Sequence, residues 1–416
     1  MLRDFLARLP LTDRITFATE LVSGALYGVF SGLALPLIPI VARRIGMSAE
    51  AITLMVTMQF VGALFGILVG HMADRLPKML FAVWPSLISR ALIGLLAFAA
   101  RPGFYLAVVS AFNLLVNLGG PAYGSIMRSN YSDANRGRLM GNIRITIVIV
   151  AALFSAFAGL LLAVNENLVR WLFAVAALFG VLSSLAFGRI RVRRGPRPEF
   201  PPEHSSFAAS FRSSFRVVRR NVPFLLFMAL MFLCAGPDKM SIPLEPLWLV
   251  DHLRINYGEA SLVLGTVASL ASIAGYVIWA RALKRTSSFT VLALVVFLFA
   301  GRFAALGLAR STMGLIPMSI LSGLSTAGWD LVPIFCMISL AQRDTFSLAL
   351  GLNTTLFGIR GIIGPALGTL LASSGAIPLQ WIFILIAGGI AVGGALMLLF
   401  SRRRKGVRAE AAARAA

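Results

Sequence analysis

Six ionisable side chains lie inside long apolar runs of the sequence: Arg90, Asp238, Lys239, Arg302, Asp330 and Arg360. A charge held away from water costs several kcal/mol unless it is paired or hydrated, so each is a candidate for chemistry. A buried acid can carry a proton, and a nearby guanidinium can hold it ionised instead. Asp330 and Arg360 lie about 15 and 21 Å from the basic ends of their runs at helical rise, a gap that an extended Arg closes, which predicts an ion pair. Asp238 and Lys239 are adjacent, and neighbours on a helix point about 100° apart, which predicts a poor pair. Asp238 is then either the acid that carries a proton or a structural group bonded to neighbouring helices. Glu20 and Arg144 lie shallower.

Other chemistries lack their residues. His71, His204 and His252 fall in predicted loops or span ends without metal-ligand spacing. Gly323-Leu324-Ser325-Thr326-Ala327 only approximates a nucleophile elbow and sits in a helical run with no nearby His. There is no Gly-x-x-x-x-Gly-Lys-Ser/Thr loop, so ATP is not the direct energy source. Neither an enzyme, a cofactor nor a metal is expected.

The elements that hold these residues follow from composition. Of 416 residues, 58% are hydrophobic and 13% charged, with a mean hydropathy of +0.86. That leaves too little polar surface for a water-soluble globule. Apolar stretches of roughly 20 residues recur along the chain, each long enough to cross a bilayer as a helix, and the short alternating segments of a β-barrel are absent. The formal charge of +22 lies mainly between the stretches. Such basic loops are topology signals and contacts for anionic head groups, so no nucleic-acid partner is expected. Cys234 and Cys336 both fall in predicted spans and propose no disulfide. Met1 to Arg14 is a charged amphipathic stretch without a cleavage site, and is read as retained.

Twelve spans result, in an all-α membrane protein of two six-helix bundles. Residues 1–188 form the first bundle, 189–221 a basic linker with nine arginines and four prolines, 222–401 the second bundle and 402–416 a basic tail. The distribution of Lys and Arg places both termini and the linker in the cytoplasm, at the plasma (inner) membrane. The halves repeat one another. Pro36-Leu37-Ile38-Pro39 matches Pro243-Leu244-Glu245-Pro246, Glu50 matches Glu259, Gly66 matches Gly275 and Arg90 matches Arg302, at offsets of 207 to 212 residues. Transporters are often tandem repeats of this kind. Glycines at every fourth position, Gly24, Gly28 and Gly32, then Gly62, Gly66 and Gly70, then Gly364 and Gly368, predict faces for close helix packing. The paired prolines predict bends near the outer ends of spans 1 and 7.

Gly70-His71-Met72-Ala73-Asp74-Arg75-Leu76-Pro77-Lys78, between spans 2 and 3, resembles the signature of the major facilitator superfamily. Pro77 stands where that family usually has Gly, and the second copy, Arg281 to Arg285, keeps the bases and loses the acid. Asn135-Arg136-Gly137-Arg138 is similar to a further Arg-Gly turn of the family, and the buried span-4 Arg and span-5 Gly-Pro of its drug antiporters are absent. The resemblance implies that Asp74 is a conformational latch acid facing the start of span 11, with Arg75 and Lys78 as partners or lipid contacts and Gly70 allowing close approach. It also implies a central cavity lined by spans 1, 4, 7 and 10, which makes Tyr27, Asn113, Asn117, Asp238, Trp329 and Asp330 candidate substrate-binding residues. Asn113 and Asn117 lie on one helical face, where they either bind a polar ligand or satisfy each other and the backbone. The implied activity is secondary active transport of a small solute by a monomer, first read as proton-coupled export of amphiphilic compounds. The alternative is import of a polar or anionic solute by way of Lys239 and Arg360.

Overall fold

Hydrocarbon offers the backbone no hydrogen bonds, so a spanning segment must satisfy its own N–H and C=O groups, and a helix does so locally. The computed structural model describes residues 10–73, 77–99, 101–192, 221–340 and 346–415, without the side chains of 66–73, 121, 133–134, 346–351 and 405–415. Every regular element among the described residues is helical. Ten helices are long and apolar enough to cross a membrane, and Ala49–Phe65 and Pro102–Val116 are shorter apolar helices. Together they account in order for the twelve spans. Large apolar side chains such as Phe98, Val164, Trp171 and Leu370 project outward at 80, 87, 68 and 65% exposure, as lipid-facing positions should.

Breaks fall where proline removes a donor and crowds the preceding turn. Span 1 is a helix over Leu11–Ala34 that resumes as Ile38–Arg44 beyond Pro36. Span 7 runs over Val222–Ala235, breaks at Gly236-Pro237, and continues as the short helices Asp238–Ser241 and Leu244–Leu247 and a wide turn over Trp248–His252. The single span expected near residues 103–128 is instead two helices, Pro102–Val116 and Gly120–Asn130, separated at Asn117 to Gly119. Pro121 and the Gly119-Gly120 pair explain that break. Glu259, matched by sequence with Glu50, closes a capping box: its backbone N–H donates to Asn256 Oδ1 at 2.7 Å, and its carboxylate accepts from the Asn256 N–H at 3.0 Å.

The chain divides into two compact units. The first holds spans 1 to 6 together with Leu249–Ser269. In it the glycine face of span 1 lies on span 5, so close that a methyl group on Gly28 would sit 2.7 Å from Val150 Cβ and 2.8 Å from the Ile147 carbonyl. Buried Asp13, at the start of span 1, accepts hydrogen bonds from the Ser132 backbone N–H, the Ser132 hydroxyl and Asn135, and so anchors the start of the span 5 helix. The segment Leu249–Ser269 is held by polar pairs. Arg43 makes a bidentate pair with Asp251, closest at 2.6 Å. Arg44 pairs with Glu166 at 2.9 Å and stacks over Tyr257 at 4.2 Å. Ser155 and Ser261 each donate to the other's carbonyl, at 2.7 and 2.8 Å.

The second unit holds the rest of span 7 and the chain from Leu270 onward. Phe289 packs edge-on between Phe227 and Phe400, with ring centroids 5.7 and 5.4 Å away. Gly364 and Gly368 of span 11 lie against Lys239 and Met240 of the broken segment of span 7, and a methyl group on Gly368 would collide with the Met240 carbonyl oxygen. Gly388 of span 12 has nothing within 4 Å of such a methyl. Gly368→Ala is therefore expected to lower stability by about 1–3 kcal/mol through overpacking, with Gly388→Ala neutral. Equal thermal midpoints for the two variants in detergent would contradict this packing.

Candidate functional site

The break in span 7 gathers three of the mid-span charges. Asp238 and Lys239 lie side by side in the short helix Asp238–Ser241 that follows the break, and the long Lys239 side chain bends back so that its ammonium donates to Asp238 Oδ2 at 2.6 Å. The expectation that these neighbours pair poorly considered only the directions of their Cβ atoms and is corrected: four methylenes let the ammonium reach back across the angle between them. Asp238 is 7% exposed and its second oxygen, Oδ1, is buried with no hydrogen-bond partner. Arg360 of span 11 lies near enough to attract this carboxylate. The ring of Phe357 sits 5.5 Å from the Lys239 ammonium and 5.6 Å from the Arg360 guanidinium.

The ion pair expected between Asp330 and Arg360 is not formed. Arg360 turns to span 7 and donates to the Met231 carbonyl at 3.0 Å, near the broken helix end, where the dipole favours a cation. Asp330, exposed on span 10, accepts instead from the Tyr276 hydroxyl at 2.6 Å. Equal depth along two helices does not place two side chains on facing sides. Trp329 packs edge-on to Phe299 at 5.8 Å, and its indole N–H is buried without a partner.

Asn113 and Asn117 are spent on the backbone of span 2, donating to the Met55 carbonyl at 2.8 Å and the Gln59 carbonyl at 2.9 Å. Of the two readings open from sequence, the packing one describes these amide donors. Tyr27 of span 1 stacks on the Arg90 guanidinium, 4.7 Å from its ring centre. Within the signature turn, Lys78 donates to Ser125 at 2.7 Å. Asp74 and Arg75 lie outside the described residues, as does most of the linker, and Gly70 lies near the end of the helix Ala49–Ala73.

Sequence reasoning passed over the partners of three charged residues. Glu20, read as shallow, is 3% exposed and accepts from the hydroxyls of Tyr123, at 2.6 Å, and Tyr131. Glu245 neutralises Arg302 at 2.7 Å, with Phe303 stacked 4.7 Å from that guanidinium. Ser183 and Ser184 hold Arg90 at 3.0 and 2.9 Å. One signal was legible: Glu245 is the position at which the repeated Pro-Leu-x-Pro segments differ in charge, Ile38 being its counterpart.

The broken segment of span 7 thus brings Asp238 and Lys239 together beside Phe357 and Arg360 of span 11, and among the described residues no cluster could hold a metal. The chain resembles solved transporters in fold. A mutant form of the nucleoside transporter NupG superposes with a TM-score of 0.72 at 14% identity, covering 92% of this chain and 99% of that one. An auto-inhibited peptide transporter of the POT family gives 0.68 at 14%, over 95% and 97%. A bacterial homolog of the human lysosomal transporter Spinster, inward-facing and unoccupied, gives 0.65 at 14%, over 95% and 98%. No curated protein matches the chain by sequence. The Major Facilitator Superfamily profile matches residues 21–237 and again 230–416, once per repeat. The chain is a multi-pass membrane transporter and belongs to the Major Facilitator Superfamily.

Proposed function

We propose that the chain is a proton-coupled secondary transporter of a small amphiphilic solute, working by alternating access, with Asp238 as its proton carrier. The observation that carries this reading is the condition of that carboxylate: buried, held by Lys239 through one oxygen, and unpartnered at the other. It has two usable states. Ionised, it is held by Lys239 and Arg360. Protonated at Oδ1, it loosens its hold on Lys239 and changes the charge shared by spans 7 and 11. A site that alternates between these states biases the conformational equilibrium by its differential affinity. Two cations beside one acid also favour a solute with an anionic group, the second reading from sequence.

The joint between Leu249–Ser269 and spans 1 and 5 is suited to opening in each cycle, because a hydroxyl pair and a partly exposed ion pair hold it, and both can be exchanged for water. Asp74, with Gly70, Arg75 and Lys78, is assigned the cytoplasmic latch on the resemblance of its turn. The basic loops support cytoplasmic termini, a plasma (inner) membrane location and contact with anionic lipids, and the carrier is proposed to act as a monomer.

In liposomes with an imposed pH gradient, Asp238→Asn is expected to lose proton-driven accumulation and keep solute exchange. Full gradient-driven transport by this variant would end the carrier assignment, and the sidedness of accumulation reads the direction. For stability, Asp238→Asn leaves the Lys239 ammonium buried without its counter-ion, at a cost of about 3–5 kcal/mol. Adding Lys239→Gln should recover most of it, whereas additive losses would mean the pair is not coupled. Cysteines at 155 and 261, joined by oxidation, should stop transport until reduced. Undiminished transport by the cross-linked protein would show that this joint does not open.

A further inference from the structure

The two repeats treat the same charge differently. Arg302 of span 9 has its anion, Glu245. Arg90, its counterpart in span 3, lies twelve residues beyond Lys78, about 18 Å into the span at helical rise, and has no acidic partner among the described residues. The position corresponding to Glu245 is Ile38. An Arg side chain does not deprotonate in proteins, so this charge persists at mid-membrane and calls for compensation.

The compensation is partial, and its geometry is specific. Nη1 is held by three acceptors: Ser183 Oγ at 3.0 Å, Ser184 Oγ at 2.9 Å and the Gly180 carbonyl at 3.3 Å. Both serines are at most 1% exposed. Ser183 is itself fixed, because its hydroxyl donates to the Ser23 carbonyl at 2.7 Å and the Ser23 hydroxyl donates to the Ser183 carbonyl at 2.9 Å. Tyr27 covers one face of the guanidinium at 4.7 Å, and a methyl group on Gly180 would come within 2.9 Å of both Arg90 Cβ and Phe30. The guanidinium is thus clamped by one nitrogen and one face. Its other donors, Nε–H and the Nη2 amino group, have no hydrogen-bond partner, and both retain accessible surface, unlike the sealed Nε of Arg302. That Nε/Nη2 edge is the planar fork that receives a carboxylate through two parallel hydrogen bonds.

We infer that Arg90, set by Ser183, Ser184 and Tyr27, is a seat for the carboxylate of a small amphiphilic solute. The inference rests on the reading of the chain as a solute transporter and deepens it by naming the substrate class. The mobile anion supplies in the first repeat the charge that Glu245 supplies in the second. Tyr27 was a candidate from sequence for lining the substrate path, and here it is the wall that fixes the plane of the fork.

The test is thermal stabilisation of the purified full chain in detergent at constant ionic strength, using octanoate and benzoate, their uncharged counterparts octanol and benzyl alcohol, and inorganic phosphate. Both carboxylates should raise the unfolding midpoint in a saturable way and the alcohols should not, since a ligand stabilises the state that binds it. Arg90→Lys keeps the charge and loses the fork, and should weaken carboxylate binding at least about tenfold. Arg90→Gln should abolish the preference for carboxylates over alcohols. If Arg90→Gln does not fold, Arg90→Lys alone decides. Equal stabilisation by the alcohols, unchanged affinity in Arg90→Lys, or a response to phosphate alone would each overturn the carboxylate seat. Counterflow of the same probes in liposomes separates the two readings. Arg90-dependent binding without counterflow leaves the seat standing and removes the transport reading of these solutes, whereas counterflow unaffected by Arg90→Lys removes the seat and leaves transport.

Discussion

A peptide group deprived of water must find its hydrogen bond within the protein or cost several kcal/mol, and in this chain that constraint dictates more than the choice of helix. It also decides where polar side chains go. Pro36, Pro121 and Pro237 sit at interruptions of spans 1, 4 and 7, and side chains reach for carbonyls at and around these places. Tyr105 donates to Ile38 at 2.7 Å, just beyond the break in span 1. Arg360 donates to Met231, one turn before the break in span 7. Asn117, at the break in span 4 itself, turns to the backbone of span 2. Asn113 and Asn117, which read as ligand-binding groups in isolation, have their amide donors committed to the scaffold.

Charge is governed by the same scarcity of water, and the structure answers it in several ways. Arg302 has a full counter-ion, Asp238 is held by its sequence neighbour, and Glu20 is held by two phenols. Arg90 has hydroxyls and a ring in place of an anion. The first two arrangements are closed pairs in the same repeat, differing in that Asp238 keeps an unpartnered oxygen. The last is an open one. The two repeats therefore differ at matching positions: Arg302 faces Glu245 in the second, whereas Ile38 stands at the corresponding place in the first and Arg90 is held by hydroxyls and a ring.

Motion and rigidity are likewise divided by chemistry. The second unit has an interlocked aromatic core around Phe289, and close-packed aromatics do not separate cheaply. The joint of Leu249–Ser269 with spans 1 and 5 is made of serines, glycines and ion pairs. Small residues there let backbones approach without interdigitated side chains. A membrane carrier that alternates its access needs both kinds of contact.

The sequence by itself determined the twelve spans, the repeat, the breaks at Pro36 and Pro243 and the glycine faces, because each is a local property: the length of an apolar run, a missing donor, a missing Cβ. The signature turn and the doubled match placed the family for a similar reason, since they are strings of residues. Depth in the membrane was legible too, which is why Arg90, Asp238 and Arg360 could be singled out. Which charges meet was not. Asp330 and Arg360 had compatible depths, yet depth is one coordinate of a helical side chain, and its azimuth depends on how each helix is turned by its neighbours and its breaks. The sequence could not show that Lys239 would fold back on Asp238, or that two serines of span 6 would clamp Arg90. Those pairings were decided by tertiary packing, because a contact between spans depends on the rotation of both helices, and no local run of residues encodes that.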